Sequence, residues 1–195
     1  MSSQPKSRCS WSEHSELYQC YHDQEWGKPI FEDNKLFEFL ILEGAQAGLS
    51  WITILKKREN YRLAFDGFDP AKVATYNQEK IEQLLANPGI VRNKLKIQSA
   101  ITNAQNFLEV QKCHGSFSNY LWAFVDEQPI QNCWKSLSEV PARTPLSDHL
   151  SSQLKQQGFK FIGTTICYAY MQAIGMVNDH LLDCFRYHEV QAAKR

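Results

Sequence analysis

One predicted helix face carries a carboxylate where an apolar side chain is expected. In the stretch LFEFLILEGAQAGLSW, Leu36, Leu40, Glu43 and Ala47 follow one another at spacings of four, three and four residues. This spacing places all four side chains on one side of an α-helix. A buried glutamate without a hydrogen-bonding partner is costly, and a ligand that hydrogen-bonds to Glu43 would account for its position on this face.

A second set of residues, near the two ends of the chain, has the types that bind metal ions. Cys9 and His22 lie thirteen residues apart, and His180 and Cys184 lie four apart, a spacing that favours one helix face. If the four converge, two thiolates and two imidazoles form a closed tetrahedral shell, and such a metal would be structural. The spacing matches no zinc finger, and from spacing alone buried cysteines with hydrogen-bonded histidines are the stronger interpretation.

A third candidate is a turn between two predicted helices, in the segment LLANPGIVRNKLKIQ at residues 84–98. Pro88 and Gly89 predict a tight turn, and unpaired amides at the start of the next helix would favour binding of an anion. The segment resembles the helix-hairpin-helix element of DNA repair proteins, which grips a backbone phosphate without reading sequence. Val91 stands where that motif has its second glycine, and similar turns occur in helical proteins that bind no nucleic acid. The nearby basic residues are Arg92, Lys94 and Lys96.

Helices must position these residues, because helical periodicity dominates the sequence and no convincing alternation of polar and apolar residues is present. The predicted fold class is therefore all-α. A helix is predicted to begin with Asp33 as its N-cap and to end near Gly44 or Gly48. The polar segment 126–145 contains three prolines and is predicted to be a long surface connection. Further helices are predicted from Ser50 toward Phe65, from Asp69-Pro70 through Tyr76, and over residues 78–86, 91–111, 117–125, 147–157 and 165–177.

Composition limits the class of protein. The chain has 195 residues, of which 43% are hydrophobic, enough for one domain with a sizeable core. No apolar run approaches the ~20 residues of a membrane-spanning helix, and no hydrophobic segment follows the N-terminal charges, so we expect an intracellular, soluble protein. The formal net charge is zero, so charge alone predicts no nucleic-acid partner. The six cysteines are expected to stay reduced.

Taken together, these segments resemble the DNA-3-methyladenine glycosylase I family, bacterial repair enzymes of the helix-hairpin-helix superfamily. The similarity covers residues from about 8 to 187, so residues 1–195 are expected to form a single domain. Long segments matched in order are far more specific than any short motif. The matching segments are RCSW at 8–11, YHDQEWG at 21–27, LEGAQAGLSWITILKKRENYR at 42–62, FDPAKVA at 68–74, NPGIVRNKLKI at 87–97 and GFKFIGTTICYAYMQAIGMVNDH at 158–180.

The resemblance implies an enzyme that flips 3-methyladenine out of alkylated double-stranded DNA and hydrolyses its N-glycosidic bond, without lyase activity. It implies that Glu43 recognises the base and, by hypothesis, acts in catalysis. Leu49 is implied as a wedge that fills the gap in the base stack. The implied base-binding aromatics are Tyr21, Trp51, Trp11 and Trp26, and the other implied DNA contacts are Gly48, Gly89, Arg92 and Lys94.

The family binds one structural zinc ion, so the resemblance also implies a zinc site that joins the two ends of the domain. The implied ligands are Cys9, His22, His180 and Cys184. Many superfamily members place a catalytic aspartate in the helix after the hairpin, but this chain has no Asp between Asp69 and Asp126. That absence fits the 3-methyladenine branch, in which no such aspartate is used. We expect a monomer in the bacterial cytoplasm that acts on nucleoid DNA.

Two other functions compete with this interpretation. A non-catalytic, zinc-stabilised DNA-binding module would use the hairpin for phosphates but would not need Glu43, Tyr21 and Trp51 together. A zinc hydrolase is disfavoured because four protein ligands leave no position on the metal for a substrate. Release of free base from methylated DNA separates the enzyme from the module.

Overall fold

The computed structural model describes residues 6–192, so both ends of the predicted domain 1–195 lie outside the described residues. The described part is mainly helical, as predicted, and no helix in it is long and apolar enough to cross a membrane. Its α-helices are α1 (Glu16–Gln24), α2 (Asp33–Gln46), α3 (Trp51–Ala64), α4 (Pro70–Val73), α5 (Gln78–Ala86), α6 (Lys94–His114), α7 (Phe117–Trp122), α8 (Pro145–Gln156), α9 (Thr164–Ala173) and α10 (Phe185–Gln191). Short 3-10 helices cover Ser10–His14, Asp66–Phe68, Ala123–Val125 and Leu137–Glu139.

Two short strands are present that the all-α prediction did not include. Strand β1 (Ile130–Gln131) pairs in parallel with β2 (Val177–Asn178). The pairing holds the segment 126–145, predicted as a surface connection, against the chain that follows α9. Local periodicity could not predict it, because each strand has two residues and its partner lies far away in sequence.

Helix α2 lies at the centre of the fold. Every residue from Leu36 to Ala45 is buried, and α2 contacts α3, α6, α7 and α9. A helix that is enclosed on all sides needs apolar residues all round, and its sequence, LFEFLILEGA, meets that need except at two glutamates. Glu38 and Glu43 are therefore buried by the position of their helix rather than by a local irregularity.

The predicted role of Asp33 as the N-cap of α2 is wrong. Glu32 occupies the cap position without a side-chain hydrogen bond, and Asp33 is the first helical residue. The carboxylate of Asp33 instead accepts hydrogen bonds from the backbone amides of Phe117 and Ser118, at 2.9 and 2.8 Å. These amides begin α7 and have no partner within their own helix, so Asp33 stabilises α7 rather than α2.

Other helix boundaries follow the sequence closely. Helix α5 has the predicted limits, and Asp69 caps α4 by accepting from the amide of Ala71 at 2.9 Å. Helix α4 ends at Val73 rather than near Tyr76. Helix α6 begins at Lys94 rather than near residue 91, because the side chain of Asn93 caps it. The N-terminal helix α1 and the C-terminal helix α10 were not predicted.

Candidate functional site

A cleft of about 230 Å³ opens beside α2, and five of its twelve lining residues are aromatic. The segment 126–145 and α9 supply its other walls. Its volume is below the roughly 300–1,000 Å³ of sites for drug-sized ligands, so it suits a small ligand. All five residues predicted to contact the base line it: Glu43, Tyr21, Trp51, Trp11 and Trp26. The other lining residues are Tyr18, Gln46, Leu137, Val140, Ala169, Gln172 and Asp179.

The aromatic wall is built from three separate elements. Trp11 lies in the first 3-10 helix, Tyr21 lies on α1, and Trp51 is the first residue of α3. The rings of Tyr21 and Trp51 lie 5.6 Å apart at an angle of 52°. Tyr18 lies one turn before Tyr21, and its hydroxyl accepts from the amide of Ile52 at 3.0 Å, which fixes α1 to the start of α3. Such ring faces can hold a planar ring and attract a cation.

Glu43 is the one acidic side chain that α2 contributes to the cleft. It is 3% exposed, and its Oε2 atom has no hydrogen-bond partner among the described residues. Burial raises the pKa of Glu43 to about 8. An acceptor that is buried and unsatisfied is costly unless a ligand completes it, so the structure supports the functional interpretation of the carboxylate on this helix face.

The cleft is also lined by a second carboxylate, which the sequence analysis did not predict. Asp179 is 1% exposed and accepts four hydrogen bonds, two on each oxygen. The donors are Asn132 Nδ2 at 2.6 Å, Trp134 Nε1 at 2.8 Å, Tyr168 Oη at 2.6 Å and Gln172 Nε2 at 2.7 Å. Asp179 directly precedes the predicted metal ligand His180, but no role was predicted for Asp179 itself.

The four predicted metal ligands converge, and the structure shows a cluster that could hold a metal ion. Cys9, His22, His180 and Cys184 are all buried, and their ligand atoms lie within 4.8 Å of one another. The predicted helical spacing of His180 and Cys184 is wrong, because Cys184 is the N-cap of α10 and His180 precedes a turn. The chain returns through that turn and brings both side chains to the same point.

The surroundings of the cluster orient both imidazoles. His22 uses Nδ1 to contact Asp23 Oδ1 at 2.8 Å, which leaves Nε2 facing Cys184 Sγ at 3.4 Å. His180 uses Nε2 to contact the carbonyl of Trp26 at 3.1 Å, which leaves Nδ1 facing the sulfurs. Metal-binding histidines are commonly held in this way through the other ring nitrogen.

The cluster also favours a thiolate. The hydrogen bond with Cys9 lowers the pKa of the Cys184 thiol, and the contacts with His180 and His22 lower it further. A metal binds the thiolate rather than the thiol, so this arrangement prepares Cys184 as a ligand.

The residues predicted to contact DNA belong to two segments, the loop between α2 and α3 and the hairpin before α6, which a hydrogen bond joins. Gly48 has a φ of +78° between α2 and α3, a conformation that favours glycine, and Leu49 after it is 41% exposed. Arg92 and Lys94 are exposed at the start of α6. The Nζ atom of Lys96 donates to the carbonyl of Ala47 at 2.6 Å, and this bond joins α6 to the loop that carries Leu49.

The prediction that the helix after the turn begins with unpaired amides is wrong at Val91, where that helix was predicted to begin, and at Lys96, in the first turn of α6. The amide of Gly89 donates to Asn87 Oδ1, that of Val91 to Tyr61 Oη, and that of Lys96 to Asn93 Oδ1. Gly89 is needed for a different reason, since a Cβ atom there would lie 2.9 Å from Asn60 Cβ on α3.

Comparison with known proteins gives concordant results. The family model described as methyladenine glycosylase matches residues 11–187. DNA-3-methyladenine glycosylase 1 of Escherichia coli (strain K12) is 51% identical over 180 residues, which cover 92% of this chain and 96% of that protein. The crystal structure of a 3-methyladenine DNA glycosylase I is 52% identical, covers 92% of this chain and 98% of its own, and has a TM-score of 0.89. A Staphylococcus aureus 3-methyladenine DNA glycosylase I, solved to explain 3-methyladenine recognition, is 37% identical, with coverage of 91% and 95% and a TM-score of 0.89.

Proposed function

The chain belongs to the methyladenine glycosylase family, and from this premise we propose that it excises 3-methyladenine from alkylated double-stranded DNA. It is a DNA glycosylase of base excision repair, which hydrolyses an N-glycosidic bond, releases the free base and leaves an abasic site. The observation that carries the choice of substrate is the unsatisfied Oε2 acceptor of Glu43 in an aromatic cleft. Adenine derivatives have an exocyclic amine that can donate to this acceptor.

The reaction needs little chemistry from the protein once the base lies in the cleft. Methylation at N3 makes the base cationic and weakens its bond to deoxyribose. The base leaves as a neutral molecule while positive charge moves to the sugar, and water is the final acceptor. Flipping the base out of the duplex costs a few kcal/mol, which contacts with the aromatic wall and Glu43 offset. The stacking partners that we propose are Tyr21, Trp51, Trp11 and Trp26.

Release of base from methylated DNA, separated by chromatography, tests this function. The protein should release 3-methyladenine, whereas a non-catalytic module would bind the DNA and release nothing. Glu43→Gln should keep its fold and excise about 100-fold more slowly, because its amide presents donors toward the amine of the base. Glu79→Gln, an exposed glutamate on α5, is the matched control and should excise at the normal rate. A normal rate in Glu43→Gln would remove Glu43 from the mechanism.

We also propose that the Cys9, His22, His180 and Cys184 cluster holds one structural Zn²⁺. Ligand atoms around tetrahedral zinc lie roughly 3.3–3.8 Å apart, given the usual Zn–S and Zn–N distances. Three of the separations between sulfur and nitrogen, at 3.4, 3.6 and 3.8 Å, fall in this range, and all four ligand atoms lie within 4.8 Å of one another. The ion would stabilise the joined ends of the domain and, with four protein ligands, would take no part in the reaction.

Metal analysis of the purified protein tests the zinc site. Cys184→Ala should lower zinc content and Tm more than it lowers affinity for the base. Cys167→Ala is the matched control, because Cys167 is also buried but lies outside the cluster, so it should keep its zinc even where it loses stability. A freshly purified wild-type protein without zinc would contradict the assignment.

We further propose that the face around Leu49 and the hairpin binds DNA in the manner of the helix-hairpin-helix superfamily. Leu49 would fill the gap left by the flipped base, with Gly48 giving the loop its shape. The proposed backbone contacts are Gly89, Arg92 and Lys94. Arg92→Ala should reduce the dependence of binding on salt concentration by about one counterion, and an unchanged salt dependence would contradict the contact. A monomeric state and a cytoplasmic location near the nucleoid stay predictions.

A further inference from the structure

Asp179 places a negative charge in the wall of the cleft without a positive partner. Its four hydrogen-bond donors are an amide, an indole, a hydroxyl and a second amide, all of them neutral. No lysine, arginine or histidine in the described part of the chain forms an ion pair with it. The adjacent cluster adds no net charge if it holds a divalent cation, because two thiolates neutralise it.

The position of Asp179 makes this charge effective toward a ligand. The side chain lines the cleft but is only 1% exposed, so water does little to screen it. Its donors come from both sides: Asn132 and Trp134 belong to the segment 126–145, and Tyr168 and Gln172 belong to α9. Four fixed donors hold the carboxylate in place, but neutral groups cannot cancel its charge. A cation that enters the cleft therefore meets an attraction that a neutral molecule of the same shape does not.

We infer that Asp179 is a specificity-determining residue, whose fixed negative charge makes the cleft prefer a cationic alkylated purine to a neutral purine of similar shape. The inference rests on the proposed function and adds to it. Glu43 binds the amine, which cationic and neutral methylated adenines share, and the aromatic rings hold the planar base and add their own attraction for a cation. Asp179 distinguishes them by charge, the property that separates the N3-methylated nucleotide from ordinary adenine.

Two small ligands isolate the effect of charge. Free 3-methyladenine is neutral near neutral pH, and 3,9-dimethyladeninium is a permanent cation with the same ring and amine. Titration followed by tryptophan fluorescence gives both Kd values, because the cleft contains Trp11, Trp26 and Trp51. The wild-type protein should bind the cation about tenfold more tightly or better. Neutral adenine and 9-methyladenine, compared with each other, control for the additional methyl group.

Variants then test whether the preference for the cationic ligand comes from Asp179. Asp179→Asn should lower the ratio of the two affinities about tenfold and change the affinity for neutral 3-methyladenine much less. Tyr168→Phe and Trp134→Phe each remove one donor but keep the charge, so they should disturb the network and preserve the ratio. Glu43→Gln should weaken binding of both ligands and also preserve the ratio.

Each outcome decides something. A wild-type ratio near one overturns the inference, as does a normal ratio in Asp179→Asn. If Asp179→Asn does not fold, the affinity ratio of Glu43→Gln is the test. A ratio near one in Glu43→Gln would assign the preference to Glu43 and overturn the inference. If neither ligand binds the wild-type protein, the proposed function fails rather than this inference.

Discussion

Helix α2 carries two glutamates, five residues apart, that have the same burial and opposite surroundings. Glu38 and Glu43 are each 3% exposed. The carboxylate of Glu38 contacts three cations: Arg58 at 2.7 Å, Arg62 at 2.8 Å and Lys35 at 2.9 Å. The carboxyl of Glu43 contacts no cation among the described residues, and one of its oxygens has no partner at all.

The pKa shifts of Glu38 and Glu43 show the effect of the cationic partners. Burial raises the pKa of Glu38, but the charge of Arg58 and its hydrogen bonds with Arg58 and Lys35 bring it below the usual range. Burial alone acts on Glu43 and raises its pKa to about 8. Burial therefore does not identify a functional acid, since both residues are equally buried. The absence of a cationic partner does, because a buried carboxyl that no cation of the fold balances can act on a ligand instead.

The largest effect that would test this comparison is on stability. Glu38→Gln should lower the free energy of unfolding by about 3 kcal/mol, because Arg58 stays buried and keeps only Glu25 as a negative partner. Excision of 3-methyladenine by the folded protein should change little. Chemical denaturation at pH 7, with base release measured on the same preparation, checks both expectations.

Glu59→Gln provides the control for Glu38→Gln. Glu59 also pairs with Arg62, but its side chain is 76% exposed, so this variant should lose less than about 1 kcal/mol. If the two variants are equally stable, the Glu38 network does not contribute as the structure indicates. If Glu38→Gln loses excision while it stays folded, the division between a structural and a functional glutamate is wrong.

A smaller effect distinguishes the two glutamates by pH. The pKa of Glu43 is raised from near 4.5 to about 8, so its burial is tolerated fully below pH 4.5 and becomes destabilising as pH rises toward 8. Glu43→Gln should remove this dependence and gain a few kcal/mol relative to wild type between pH 5 and pH 8.5. Glu38 responds in the opposite direction, because its contribution is lost as pH falls below the usual range of a glutamate.

Denaturation of wild type and Glu43→Gln across this pH range measures the difference directly. Saturation with 3-methyladenine should reduce the wild-type loss at high pH, since the ligand gives the carboxyl a partner. Parallel pH profiles for the two proteins would show that Glu43 ionises normally and that its surroundings are wetter than the structure shows.

The sequence predicted local features of the helices better than contacts between distant segments. The spacing of Glu43 and the leucines is a local property, and so are the limits of α5 and the cap of α4 by Asp69. Helix α1 was missed because its buried residues are Tyr21 and His22 rather than aliphatic residues at helical spacing.

Long-range contacts account for most of what the sequence could not supply. The position of Asp179 in the cleft could not be predicted, because it depends on four donors from two segments that are distant in sequence. The strand pair between Ile130 and Val177 has the same origin. The family resemblance predicted that the metal ligands converge. The helical spacing proposed for His180 and Cys184 did not contribute, because the two residues do not share a helix.

The smallest predicted effect concerns a third acidic residue of α2, which is satisfied by amides rather than by cations. Asp33 accepts from the amides of Phe117 and Ser118 and from Gln111 Nε2 at 2.6 Å, so it closes the N-terminus of α7. Asp33→Ala should lower the free energy of unfolding by about 1–2 kcal/mol, because two buried helix amides lose their acceptor.

The exposed cap of α4 provides the comparison for Asp33. Asp69→Ala removes an acceptor from amides that are exposed and can donate to water instead. It should therefore lower the free energy of unfolding less, by about 0.5–1 kcal/mol. Denaturation of both variants at pH 7 gives the ranking. If Asp33→Ala costs no more than Asp69→Ala, burial does not strengthen this cap. Neither substitution should change the affinity for 3-methyladenine, since neither aspartate lines the cleft.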